Sequence, residues 1–132
     1  MADRLSALRK IVTGDIFHAG AANGASLICL AMSVTETVIQ ARNVATQIIY
    51  DFDRRTGVAD WYIFSEHYIC TIDSVAPLPA DIHEIMLSID RKGRESEYRE
   101  AEDPDGPEQY ALTDEERRGL LFVGYFYPAF PV

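Results

Sequence analysis

Two aspartates separated by one residue form the most suggestive chemical spacing in the sequence. Asp51 and Asp53 follow an apolar run, where such a pair can serve as nucleophile and acid in phosphoryl transfer. That use requires Thr or Val two residues after the second aspartate, but this chain has Arg55. A calcium loop is excluded too, because Arg55 takes its third ligand position and Thr56 its glycine position. The pair is therefore predicted to lie on a solvated strand face, bonded to one of three nearby arginines: Arg42, Arg54 or Arg55.

Histidines and cysteines give no recognisable metal or nucleophile motif. The three histidines are scattered, and the chain has no His-x-x-x-His or Cys-x-x-Cys spacing, so we expect no metal ion or other cofactor. Cys70 lies three residues after His67, which on a strand places the two side chains on opposite faces. Cys29 and Cys70 both fall in apolar runs and are predicted to be buried free thiols. Glu66 and the His83 region could supply acid–base groups, but without a nucleophile beside them the sequence favours a non-enzymatic protein.

Four aromatic residues fall within eight positions: Trp61, Tyr62, Phe64 and Tyr68. Such a group can stack on a base or sugar, or it can plug one end of a small barrel. Because no basic residues are interleaved, packing in the core and rim is favoured. An alternative hypothesis is a small-ligand or enzymatic site in the sheet near Trp61 and His67, further lined by Tyr50 and Tyr62, with Asp51 or Glu66 as its polar group.

These residues belong to a predicted series of strands within about 15–72. β-Branched and apolar runs predict strands at about 15–18, 26–34, 37–42, 45–53, 58–64 and 68–72, with residues 19–24 as a small-residue loop. Alternation predicts that Ile48, Tyr50 and Phe52 point into the core. Gly57 suits a tight turn, so 45–53 and 58–64 are predicted to pair antiparallel. The strands indicate an antiparallel meander, either an open sheet or a small SH3-like barrel.

Flanking helices are predicted at about 3–13, 80–92 and 114–123. The second has an apolar stripe at i, i+3, i+4 and i+7: Ile82, Ile85, Met86 and Ile89. Thr113 and Glu116 form a capping-box pattern that begins the third helix. Residues 120–127 are compatible with helix or strand, since Gly119 and Gly124 weaken a helix there. The 132 residues are expected to form one α+β domain, 1–132, with an exposed acidic loop at 94–112.

Charge is the feature that bears most directly on partners. The formal net charge is −9, and residues 94–118 hold ten acidic and four basic side chains, a net of −6. This balance argues against direct nucleic-acid binding and against an anionic membrane surface. It predicts a small acidic interaction module, in the manner of an inhibitor or immunity-type protein, that binds a basic or nucleic-acid-handling protein partner. The predicted binding residues are Glu95, Glu97, Glu100, Glu102, Asp103, Asp105, Trp61 and Tyr62.

Two further expectations concern assembly and location. A third alternative is a homodimer whose interface uses the aromatic C-terminus, Leu120 to Phe130, in which case deletion of 127–132 should yield a monomer. The lack of a secretory signal and of a disulfide framework predicts a reducing cytoplasm.

Overall fold

Six antiparallel strands form a nearly closed barrel in the computed structural model, and the described part of the chain has three helices beside it. The structure describes residues 4–22, 24–75, 78–95 and 112–126. The predicted α+β small barrel with flanking helices is confirmed. The strands are β1 (Ile16–Ala21), β2 (Ser26–Val34), β3 (Val38–Asn43), β4 (Ile49–Asp53), β5 (Val58–Ile63) and β6 (Glu66–Ser74), and the helices are α1 (Arg4–Arg9), α2 (Ala80–Glu95) and α3 (Asp114–Phe126).

The strand order is β4-β3-β2-β1-β6-β5, so β4 and β5 stand at opposite ends of the hydrogen-bonded sheet. The predicted pairing of 45–53 with 58–64 is therefore wrong, although the two strands are consecutive. A four-residue turn, 54–57, would set Asp51 directly opposite Asp60 and Tyr50 opposite Trp61. Two like charges facing each other destabilise a strand pair. Each strand pairs instead on its other side, β4 with β3 and β5 with β6.

The barrel interior is filled by large side chains such as Phe17, Ile39, Phe52 and Ile72, with alanines where the strands crowd together. The small-residue stretch predicted as a loop belongs in part to β1, which pairs with β2 on one side and β6 on the other. Ala19 is fully buried there, so its small side chain is a packing requirement of the central strand.

A second apolar layer joins the outer face of the sheet to the helices. Ile16 and Ile28 on the sheet pack with Met86 and Ile89 of α2 and with Val123 of α3. The predicted stripe on the second helix is thus confirmed as core-facing.

Asp90 is the main polar contact between the helices and the barrel. Its side chain is 1% exposed, and both of its oxygens accept hydrogen bonds from Arg42 of β3 at 2.7 Å. Gln47 and Arg94 donate to the same carboxylate at 3.1 Å each. Burial alone would raise the pKa of Asp90, but the bonds from Arg42 and Gln47 outweigh it and hold the pKa below its ordinary value.

Glu116 ties α3 to α2 and confirms the predicted capping box. The Glu116 amide donates to Thr113 Oγ1 at 3.1 Å, and the Thr113 amide donates back to Glu116 Oε1 at 2.8 Å. Lys92 and Ser88 of α2 donate to the same carboxylate at 2.6 and 2.7 Å. Burial would raise the pKa of Glu116, yet these donors lower it from 4.5 to about 2.

Replacing Asp90 should destabilise the whole fold. In Asp90→Asn the largely covered guanidinium of Arg42 loses its counter-charge, so the free energy of unfolding should fall by about 3 kcal/mol. Urea denaturation followed by circular dichroism measures this. Glu84→Gln, an exposed change on the same helix, should stay within about 0.5 kcal/mol of the native protein. A similar loss in both variants would contradict the central role of the Asp90 bonds.

The Glu116 carboxylate should make stability depend on acid pH. Its pKa is lower in the folded chain than in the unfolded chain, so its contribution is present above about pH 4.5 and is lost as pH falls towards 2. Between pH 6 and pH 3 the native protein should lose about 2 kcal/mol more than Glu116→Gln does. Urea titrations at a series of pH values test this. Glu115→Gln, an exposed neighbour, should retain the native pH dependence.

Candidate binding cleft

The barrel is open between β4 and β5, and a cleft of about 300 Å³ lies at this opening. The two strands are joined by the turn at 54–57, which Gly57 closes with a positive φ of 74° and a 2.7 Å bond from its amide to the Asp53 carbonyl. Beyond the turn no sheet hydrogen bonds join the two described strands. The cleft is lined by Ile48, Ile49, Tyr50, Asp51, Ala59, Asp60 and Trp61.

Aromatic rings form the floor of the cleft and connect its two sides. The rings of Tyr50 on β4 and Trp61 on β5 lie 5.0 Å apart between centroids. Trp61 is stacked on Tyr68 at 5.8 Å, and Tyr50 contacts Phe52 at 6.1 Å. Side-chain packing therefore closes the barrel where backbone pairing stops.

The backbone edges of both strands point into the opening. The Asn43 amide donates to the Ile48 carbonyl, and the Arg54 amide donates to the Thr37 carbonyl. The peptide groups of Ile48 and Arg54, at the two ends of β4, therefore face β3. Because hydrogen-bonding direction alternates along a strand, the peptide groups of Ile49 and Asp51 face away from β3. The Ile72 amide of β6 donates to the carbonyl of Gly57, so the peptide groups of Gly57 face β6. Asp60 lies three residues further along, and by the same alternation its peptide groups face away from β6.

The polar rim of the cleft is acidic. Asp51 and Asp60 are both exposed and lie on the outer faces of their strands. Asp51 accepts a 3.1 Å bond from Gln40, and Asp60 lies 3.1 Å from His67 Nε2. The cleft lining itself contains two carboxylates and no basic side chain. A cationic group would therefore find favourable electrostatics here.

Exposed apolar side chains surround the wide end of the cleft. Ile48 and Ile49 are 52% and 51% exposed, and Tyr62 is 68% exposed. Phe64, at the tip of the β5–β6 hairpin, is 98% exposed. Its φ is 50° and that of Ser65 is 74°, a conformation that costs a bulky residue about 1–3 kcal/mol. An exposed phenylalanine held in this costly position marks a candidate contact residue.

The structure separates the residues of the predicted site in the sheet. Trp61, Tyr50 and Asp51 line the cleft, whereas Tyr62 lies on the opposite face of β5 and stacks on His67 with ring centroids 4.5 Å apart. Tyr62 and His67 are not among the residues that line this cleft, and a ligand site near Trp61 and His67 stays a prediction. Glu66, the other predicted polar group of that site, accepts a 2.7 Å hydrogen bond from the Tyr68 hydroxyl.

The inward direction predicted for Ile48 is also wrong. Ile48 precedes β4, and Gln47 has a positive φ of 66° that turns the chain before the alternating pattern begins. Of the arginines proposed as partners of the Asp pair, Arg55 lies 3.6 Å from Asp53, while Arg42 bonds Asp90 instead.

The acidic segment begins beside the cleft. Glu95 is exposed and ends α2, while Glu97, Glu100, Glu102, Asp103 and Asp105 lie outside the described residues. The end of α2 lies so close to the β3–β4 turn that a Cβ on Gly93 would be 2.7 Å from Gln47 Nε2. Gln47 is followed directly by the cleft residues Ile48 and Ile49. Of the predicted binding residues, Glu95 thus lies two residues beyond the contact with the β3–β4 turn, whereas Trp61 and Tyr62 lie on β5.

The two cysteines and His18 are buried away from the cleft. Both cysteines are free and buried as predicted; burial raises the pKa of Cys70 to about 11 and that of Cys29 still further. His18 is buried, with its Nδ1 2.6 Å from Asp73 Oδ1. Across the ranges that the structure describes, no group of three His, Cys, Asp or Glu side chains could hold a metal ion.

The last helix runs to Phe126, so residues 120–126 are helical. Leu121 is exposed and Val123 is buried against the sheet. The predicted dimer interface extends to Phe130, beyond the described residues, and stays a prediction.

Comparisons with family models, curated proteins and solved structures found no match to this chain. None of the helices in the described ranges is long and apolar enough to cross a membrane.

Removing Tyr50 should open the floor of the cleft. In Tyr50→Ala the Trp61 ring loses its neighbour across the opening, so we expect a loss of about 2–4 kcal/mol in the free energy of unfolding. Trp61 is the single tryptophan of the chain, so its emission should also shift to longer wavelength as water reaches the ring. Tyr62→Ala, on the exposed outer face, is the matched control. An unchanged emission maximum in Tyr50→Ala would contradict the contact.

Proposed function

We propose that this protein is a non-enzymatic interaction module that binds a basic segment of a partner protein at the β4–β5 cleft. Action as an inhibitor or immunity-type protein, through occupation of a basic or nucleic-acid-handling surface, is the form of this function that the charge favours. The observation that carries the proposal is the open junction of the barrel, with an aromatic floor and an acidic rim.

The surface around the cleft supports protein binding. Exposed aromatic and aliphatic side chains beside a cleft are typical of interfaces, whose central contacts are enriched in aromatic residues. Phe64 and Tyr62 project from β5 and its hairpin, while Ile48 and Ile49 border β4. A partner seated on the cleft would contact both sets at once.

Charge supports a basic partner in particular. Asp51 and Asp60 border the cleft, and the segment with a net charge of −6 starts near its β4 side. Acidic potential of this kind raises the association rate of a basic partner and makes that rate depend on salt.

A small ligand in the cleft is the second candidate. The volume of about 300 Å³ lies at the lower end of the range for ligand pockets, and Trp61 and Tyr50 offer stacking surfaces beside the Asp51 carboxylate. A protein segment is favoured because the strand edges and the exposed side chains extend beyond that volume.

Neutralising the acidic rim should weaken partner association. The partner is first captured from cell lysate on the native protein, eluted with a salt step and identified by mass spectrometry. We expect Asp51→Asn with Asp60→Asn to slow association with the purified partner about tenfold at low salt, because two carboxylates that steer the encounter are lost. Surface plasmon resonance at several salt concentrations measures the rate and its salt dependence.

The matched control carries the same loss of charge away from the cleft. Asp81→Asn with Glu84→Gln changes two exposed residues of α2 and should retain the native rate to within about twofold. Phe64→Ser should raise the dissociation rate with little effect on association, as expected for a central apolar contact. Equal association rates for the native protein and both charge variants would contradict the proposal.

A further inference from the structure

We infer that the partner segment binds as an added β-strand, in an extended conformation with basic and apolar side chains at alternating positions. This inference rests on the proposed function and names the kind of segment that the cleft accepts. It follows from the backbone edges that face the opening and from the side chains above and below them.

Among the described residues, the edges of β4 and β5 that face each other across the opening have no sheet partner. On β4 the peptide groups of Ile49 and Asp51 point into it, and on β5 those of Asp60 do the same. Unpaired edges of this kind are templates on which an extended segment adds through main-chain hydrogen bonds. An added strand would extend the sheet at the place where its own two end strands fail to pair.

Side-chain directions then set the sequence of the segment. An added strand continues the pleat of its neighbours, so its residues alternate between the barrel interior and the outside. Residues directed inward would meet Tyr50, Ala59 and Trp61, which favours apolar side chains of modest size. Residues directed outward would stand between Asp51 and Asp60, which favours lysine or arginine.

The added strand would also place a positive charge between Asp51 and Asp60, where the protein itself has none among the residues that line the cleft. Direct pairing of β4 with β5 would set the two aspartates against each other. A cationic side chain between them changes that repulsion into two attractive contacts. A cationic occupant is therefore favoured over a neutral or acidic one at this position.

The test uses a capped eight-residue peptide of alternating lysine and valine. Amide exchange of the isotope-labelled protein is followed by NMR with and without the peptide. At saturation we expect exchange of the Asp51 amide, the Asp60 amide or both to slow at least tenfold. A peptide with the same composition in block order, four lysines then four valines, should bind at least tenfold more weakly.

Backbone methylation of the peptide separates strand addition from side-chain docking. N–H groups of alternate residues point to opposite edges of a strand. One peptide is N-methylated at every lysine and another at every valine. At least one of them should lose tenfold or more in affinity, and loss with both would indicate pairing on both edges.

The outcomes distinguish this inference from the proposed function. Binding of both methylated peptides at parent affinity, or binding without slowed amide exchange, would overturn strand addition. Failure of the parent peptide to bind at 1 mM would overturn it as well. In each case, slower association of the captured partner with the Asp51→Asn, Asp60→Asn variant would still support the acidic cleft.

Discussion

A six-stranded sheet closes into a fully hydrogen-bonded barrel only when its two end strands pair, and here those strands are β4 and β5, joined by a four-residue turn. The register that the turn dictates would bring Asp51 against Asp60. Pairing is thus opposed by like charge, while the fold still has to cover its interior at that position. Tyr50 and Trp61 provide the cover through their rings, whose centroids lie 5.0 Å apart. The cleft, its aromatic floor and its acidic rim all lie at this unpaired junction.

The helical layer fixes one side of the opening through Asp90. Arg42 lies on β3, Gln47 lies in the turn that leads to β4, and both donate to this carboxylate. Replacing a buried ion pair by apolar residues is often neutral, so the pair has no necessary advantage in stability. Its directional bonds nevertheless set the position of the β3–β4 turn, and hence of Ile48 and Ile49. The end of α2, from which the acidic segment continues, is held to the same turn.

Much of the architecture could be predicted from local patterns in the sequence. The apolar run Ser26–Val34, the stripe containing Met86 and Ile89, and the capping box at Thr113 each encode one element through its own residues. Pairing between elements is not encoded in such local patterns, because it depends on which strand edges meet. Gly57 has the positive φ, 74°, that its turn signal predicts, but a turn does not ensure that its flanking strands pair. Asp51 and Asp60 each lie three residues outward from the turn, so the sequence itself contains a like-charge signal against this pairing.

The candidate site was predictable only in part, for a related reason. The dense aromatic group in the sequence indicates Trp61 as a candidate. In the structure Trp61 lines the cleft, whereas the next residue of β5, Tyr62, faces outward and stacks on His67. Phe64 was included in that group, but its near-complete exposure depends on a hairpin tip with two positive φ values, which no propensity rule places on phenylalanine. A barrel closed by ring contacts differs from one closed by a ladder, because rings can remain in place while backbone groups stay available. The fold therefore keeps its core covered and still presents strand edges to a partner, and this combination links the architecture to binding.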